Sequence, residues 1–157
     1  MIQVRSMVRA GVIAGAYVAL CLLLAPFSYK VVQVRVAESL TVLPILWAEA
    51  VPGLAVGVLV ANFVGPFGWV DVIFGTLATL LAAVLTRKYR RSWVAYAFPI
   101  VVNGVVVGGY LPFISGLAIH TWTVPAAMAS VAAGEAVAVI LFGVPLVHAL
   151  RRMLAPR

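Results

Sequence analysis

Residues 36–65, VAESLTVLPILWAEAVPGLAVGVLVANFVG, decide the fold. A helix needs roughly 20 apolar residues to cross the hydrocarbon layer of a membrane, so this stretch is too long for one crossing and short for two. Pro44, Pro52 and Gly53 lie near its middle with Trp47 and Glu49 between them, a turn composition. Two short helices are therefore expected, about 34–47 and 50–64. At about 1.5 Å per residue, each would reach only roughly 21 Å.

Apolar runs bounded by charge predict further helices at about 8–25, 69–87, 93–111 and 124–150, within one domain spanning 1–157. Of the residues, 65% are hydrophobic and 10% charged, with mean hydropathy +1.17; soluble domains carry about 25% charged residues. The expected fold class is an all-α integral membrane protein, a bundle of six transmembrane helices in the lipid bilayer. The last run exceeds the thickness it must cross, so it should tilt, project, or kink near Gly143-Val144-Pro145. Arg5 and Arg9 mimic the basic start of a signal peptide, but no convincing small-residue cleavage site follows, and a retained first helix is expected.

Charge tests the helix count. With both termini cytoplasmic, Arg5, Arg9, Arg87, Lys88, Arg90, Arg91, Arg151, Arg152 and Arg157 all fall inside, nine of the eleven basic residues. That distribution follows the positive-inside rule, whereas five spans would place one terminal basic cluster outside. It also explains the +7 net charge as an orientation signal without nucleic acid. Lys30 and Arg35 are the exceptions, both in the first outer loop.

The four acids are Glu38, Glu49, Asp71 and Glu135. Acids in or beside apolar spans are costly and are functional candidates by default. In the six-helix topology Glu38, Asp71 and Asn62 lie near outer helix ends, with Glu135 and Asn103 deeper, so polar groups converge on the outer half. Simpler roles compete: Glu38 can pair with Arg35 across one turn, Asp71 can cap a helix N-terminus, and Asn62 can cap a C-terminus. Asn103 and Glu135 sit away from helix ends, where interhelical hydrogen bonding is the simpler role. Glu49 belongs to the cytoplasmic turn, as a cap or a partner contact. Tyr110, Phe113, His120 and Trp122 surround the last outer loop and would form an aromatic lid over an acidic cavity, although interfacial aromatics are common. His148, near the inner end, is read as solvent-facing. Ala10 and Ala14, beside Gly11 and Gly15, make one face of the first helix smooth enough for close packing, inside the chain or against another protein. One cysteine, Cys21, excludes an intramolecular disulfide and a Cys-cluster metal site; no metal is expected.

The segments VRVAESLTVLP (34–44), EAVPG (49–53), Ala61-Asn62 and VDVIFGTLAT (70–79) resemble the QueT family, substrate-binding S components of energy-coupling factor (ECF) transporters associated with uptake of queuosine precursors. The resemblance runs from Val8 to Arg152. It implies six helices in a prokaryotic cell membrane and an outer-half pocket closed by the first and last outer loops. It also implies no chemistry in this subunit: a transmembrane coupling subunit and two ATPase subunits would complete the importer, with ATP and Mg held by the ATPases. ATP hydrolysis would topple the S component to release ligand inside. The chain has no Gly-x-x-x-x-Gly-Lys-Ser/Thr loop, in keeping with separate ATPases. The spacing Ala10-x-x-x-Ala14 is similar to the motif that docks the coupling subunit.

The implied ligand is a 7-deazaguanine such as preQ1 or preQ0. Its guanine-like edge offers adjacent N–H donors to a carboxylate, and the ammonium of preQ1 seeks a second acid. Glu38 and Glu135 are the expected acidic contacts, with Asp71, Arg35, Asn62 and Asn103 nearby and Tyr110, Trp122 or His120 stacking or closing above. An S component for another vitamin, or a stand-alone proton-coupled transporter using Glu135, are the alternatives. No Ser/His/Asp set or His-Glu-x-x-His motif points to an enzyme.

Overall fold

The computed structural model describes residues 2–24, 35–117 and 119–155. Six helical segments follow one another: α1 (Ile2–Leu23), α2 (Val36–Ile45), α3 (Ala50–Val64), α4 (Gly68–Lys88), α5 (Trp93–Ile114) and α6 (Thr123–Leu154). No strand occurs among the described residues. Four segments, α1, α4, α5 and α6, are long and apolar enough to cross a membrane, whereas α2 and α3 are shorter. The expected pair at 34–47 and 50–64 is therefore present, with the second boundary as predicted. Residue 34 and the first loop with Lys30 lie outside the described residues.

The first of that pair differs in kind: α2 is a 3-10 helix, not an α-helix. Pro44, inside it, has no N–H for an i to i−4 bond, and the Thr41 hydroxyl donates to the Glu38 carbonyl at 2.6 Å. Its residues from Ala37 to Ile45 are all buried, packed against α1, α4 and the middle of α6. In a three-residue turn, side chains at i and i+3 eclipse, so Arg35, Glu38 and Thr41 share one edge. Arg87 closes the far end by donating from Nη1 to the Pro44 carbonyl at 3.1 Å.

Two helices widen locally. In α6 a π-helical stretch, Ala138–Gly143, precedes Pro145, which has no N–H to give to the Leu141 carbonyl; it runs into the Gly143-Val144-Pro145 step, where the sequence offers a kink as one alternative to tilting or projecting. Gly143 lies there because a Cβ would meet the Ser39 carbonyl of α2 at 3.0 Å. In α4 a second wide turn, Asp71–Gly75, starts on an acid. Such bulges are frequent at functional sites.

Glycines set the two closest helix contacts. A Cβ on Gly53 of α3 would stand 2.6 Å from the Ala10 carbonyl of α1, and one on Gly57 would stand 3.0 Å from that of Ala14. Across α5 and α6, a Cβ on Gly108 would stand 2.4 Å from Met128 Cα. Backbone cannot yield as a side-chain tip does, so Gly53→Ala and Gly108→Ala should each destabilise by about 1–3 kcal/mol. Gly11→Ala, with nothing within 4 Å, should melt like the wild type in a thermal-unfolding assay.

Ala10 and Ala14 thus serve internal packing and are half-buried against α3, while Gly11 and Gly15 face away from the bundle. Only 17% of the most apolar window of α1 is buried, against 39% for α4, α5 and α6. Tyr17, Ile13 and Cys21 form the face of α1 that joins Leu54 and Val58 of α3 in the core; the rest of α1 is left to lipid or a partner.

The basic residues collect at one end. Arg9 pairs with Glu49 at the start of α3, and its guanidinium lies 4.8 Å from the Trp47 ring. Arg90 and Arg91, after α4, share a concavity with His148 and Arg151 of α6. The start of α1 and the end of α6 therefore share this basic end with the α2–α3 and α4–α5 turns. Glu49 does not cap α3 through its side chain.

Candidate functional site

Toward the other end, five helices contribute polar side chains to one buried cluster. Arg35, Glu38, Asn62, Asp71, Asn103 and Glu135 are all buried. Each was brought in by a different local rule: Arg35 and Glu38 by the α2 edge, Asn62 near the end of α3, Asp71 by the wide turn of α4, Asn103 by α5 and Glu135 by α6. A small cavity is lined by Arg35, Glu38, Gly75, Thr79, Asn103, Val107, Val131 and Glu135.

The cluster has a supporting layer. Asp71 sets Oδ2 3.6 Å from Arg35 Nη2 and accepts at Oδ1 from the Tyr110 hydroxyl at 2.5 Å. Asn62 donates to the Asp71 carbonyl at 3.1 Å and accepts from Arg35 Nη1 at 3.4 Å. Gly75 makes room for this arrangement: a Cβ there would stand 2.7 Å from Asp71 Oδ1 and 2.9 Å from both Asn62 Nδ2 and the Tyr110 hydroxyl. Asp71 is not a cap in this arrangement, and the Asn62 side chain reaches across to Asp71 and Arg35 instead of closing α3. The carboxylate set against Arg35 is that of Asp71, while Glu38 is held from α1 by the Tyr17 hydroxyl.

The second layer faces the cavity. Asn103 Nδ2 donates to Glu135 Oε1 at 3.0 Å; a carboxylate can only accept, so the amide nitrogen must face it. That leaves Asn103 Oδ1 and Glu135 Oε2 buried without a hydrogen-bond partner, together with Glu38 Oε2. Such buried orphans are rare and costly. Glu38, Asn103 and Glu135 thus bring three acceptors to the lining of this cavity, with Arg35 as the cation beside them. The free volume is about 10 Å³, room for about one water, so a larger molecule enters only as the walls part. Asn103 and Glu135 lie on α5 and α6, which pack closely at Gly104 and Gly108.

The structure leaves His120 and Trp122 exposed and outside the cavity lining, and Phe113 is exposed as well. Tyr110 is turned into the supporting layer. Tyr17, Gly75 and Thr79 were missed by sequence reasoning. Tyr17 carried a signal: it is three residues after Ala14 and seven after Ala10, on the same helical face. Among the described residues no group of His, Cys, Asp and Glu is placed to hold a metal.

No curated protein and no solved structure matches the chain. The model of a family described as QueT transporter matches residues 7–152, nearly the whole chain. With its four long apolar helices, this is a multi-pass membrane protein that belongs to the QueT transporter family.

Proposed function

We propose that the chain is the substrate-binding S component of an ATP-driven ECF importer in a prokaryotic cell membrane, taking up a queuosine precursor such as preQ1 or preQ0. The observation that carries the reading is the set of orphaned acceptors, Glu38 Oε2, Asn103 Oδ1 and Glu135 Oε2, on one buried cavity in a QueT transporter. A 7-deazaguanine edge supplies adjacent N–H donors for one carboxylate, and the ammonium of preQ1 supplies a charge-assisted donor for the other. Arg35, held by Asp71 and Asn62, would read the ring carbonyl. With both termini and the basic end cytoplasmic, the cavity lies in the outer half of the membrane. A coupling subunit would dock on the exposed side of α1, at the edge formed by Ala10 and Ala14, and two ATPases with ATP and Mg would drive release.

Tyr17 links that docking helix to the pocket through Glu38. Tyr17→Phe removes one hydrogen bond to a charged group, so affinity for preQ1 should fall about tenfold by titration calorimetry, with the fold intact. The energy source is tested by uptake of labelled preQ1 into cells expressing this chain. Uptake that requires the coupling and ATPase subunits and survives a proton uncoupler supports an ECF importer. Uptake without them, abolished by the uncoupler, would make the chain a proton-coupled carrier.

A further inference from the structure

At the basic end, Arg90, Arg91, Ser92, Trp93, His148 and Arg151 border a concavity of about 120 Å³, apart from the pocket described above. No side-chain carboxylate lines it. The chain contains only four acids, and all are committed elsewhere: Glu38, Asp71 and Glu135 are buried in the polar cluster, and Glu49 pairs with Arg9. Arg90, Arg91 and Arg151 therefore have no side-chain carboxylate of this protein as a partner. Ser92 accepts from the Val94 N–H at 3.3 Å, which leaves its hydroxyl proton to donate. His148 is oriented by Nδ1 donating to the Val144 carbonyl at 2.9 Å.

The position favours a membrane anion. Trp93, at the start of α5, is 74% exposed, as expected of an aromatic at the lipid–water interface. Exposed Leu141 and Phe142 of α6 and Val94 and Val101 of α5 offer apolar surface on the same two helices for acyl chains. Guanidinium groups pair with phosphate through two parallel hydrogen bonds. We propose that this concavity is a binding site for the phosphate of an anionic phospholipid, which clamps the α4–α5 turn to the end of α6.

The test is native mass spectrometry of the purified full chain with phosphatidylglycerol, phosphatidylcholine or inorganic phosphate. The wild type should retain phosphatidylglycerol over phosphatidylcholine. Arg91→Ala with Arg151→Ala should lower that retention about tenfold or more, while Arg91→Lys with Arg151→Lys, which keeps the charge but loses the paired hydrogen bonds, should fall between that variant and the wild type. The control pair Arg5→Ala with Arg152→Ala removes the same charge outside the concavity and should bind as the wild type does. Equal loss in both alanine pairs would reduce the effect to net charge and overturn the site. Retention of inorganic phosphate without phosphatidylglycerol would overturn the lipid assignment in favour of a soluble anion.

Discussion

Glu135→Gln is expected to lower the affinity for preQ1 about a hundredfold while the protein still melts near the wild-type temperature. Glutamine keeps the size of the side chain but replaces an acceptor with an N–H donor. Oε1 already takes the Asn103 donor at 3.0 Å, so glutamine must either turn its amide nitrogen toward that donor or offer it to the ligand. Either choice sets two donors against each other. Hydrogen bonds to charged groups contribute about 1.5–3 kcal/mol, and the upper figure corresponds to about a hundredfold in affinity. Glu49→Gln, at the opposite end beside Arg9, should bind preQ1 as the wild type does. Affinity of the Glu135 variant within twofold of wild type, by calorimetric titration, removes Glu135 from the binding site.

Asp71→Ala should have the largest effect on stability. Removing one member of a buried ion pair typically destabilises by about 3–5 kcal/mol, because the other charge loses its compensation. Asp71 is 1% exposed, and its loss takes a carboxylate from Arg35 and the acceptor from Tyr110. Asp71→Asn keeps an acceptor for the Tyr110 hydroxyl and should lose less. Cys21, the single cysteine and buried, reports unfolding directly as it becomes accessible to a thiol-reactive fluorophore on heating. A wild-type melting curve for Asp71→Ala would show that the layer beneath the cavity supports nothing.

The helix order and the polar cluster were legible because lipid makes charge informative. In an apolar chain each acid is costly, so Glu38, Asp71 and Glu135 stand out, and the basic residues mark one end. Partner choice within the cluster was not legible. Spacing pairs Arg35 with Glu38 by one turn, and the structure adds Asp71 beside Arg35 and Tyr17 beside Glu38. That assignment depends on how α4 widens at Asp71–Gly75 and on how closely α1 approaches at Gly57, neither of which has a periodic signature. The 3-10 character of α2 was missed for a related reason: a 10-residue apolar segment fits either helix type. The aromatic pattern around residue 120 points to a lid, and His120 and Trp122 are exposed in the structure; composition marks interfacial depth but not which way a ring turns.

Glu38 and Glu135 are proposed to bind a donor-rich 7-deazaguanine inside this chain. Calorimetric titration of the detergent-purified protein with preQ1 tests it most directly, run beside preQ0, guanine and unrelated vitamins and repeated on Glu38→Ala and Glu135→Ala. Saturable binding of preQ1 at micromolar concentration or tighter is expected, with no binding of the unrelated vitamins and loss of preQ1 binding in both variants. Tighter binding of a vitamin, or preQ1 binding indifferent to both substitutions, would contradict it.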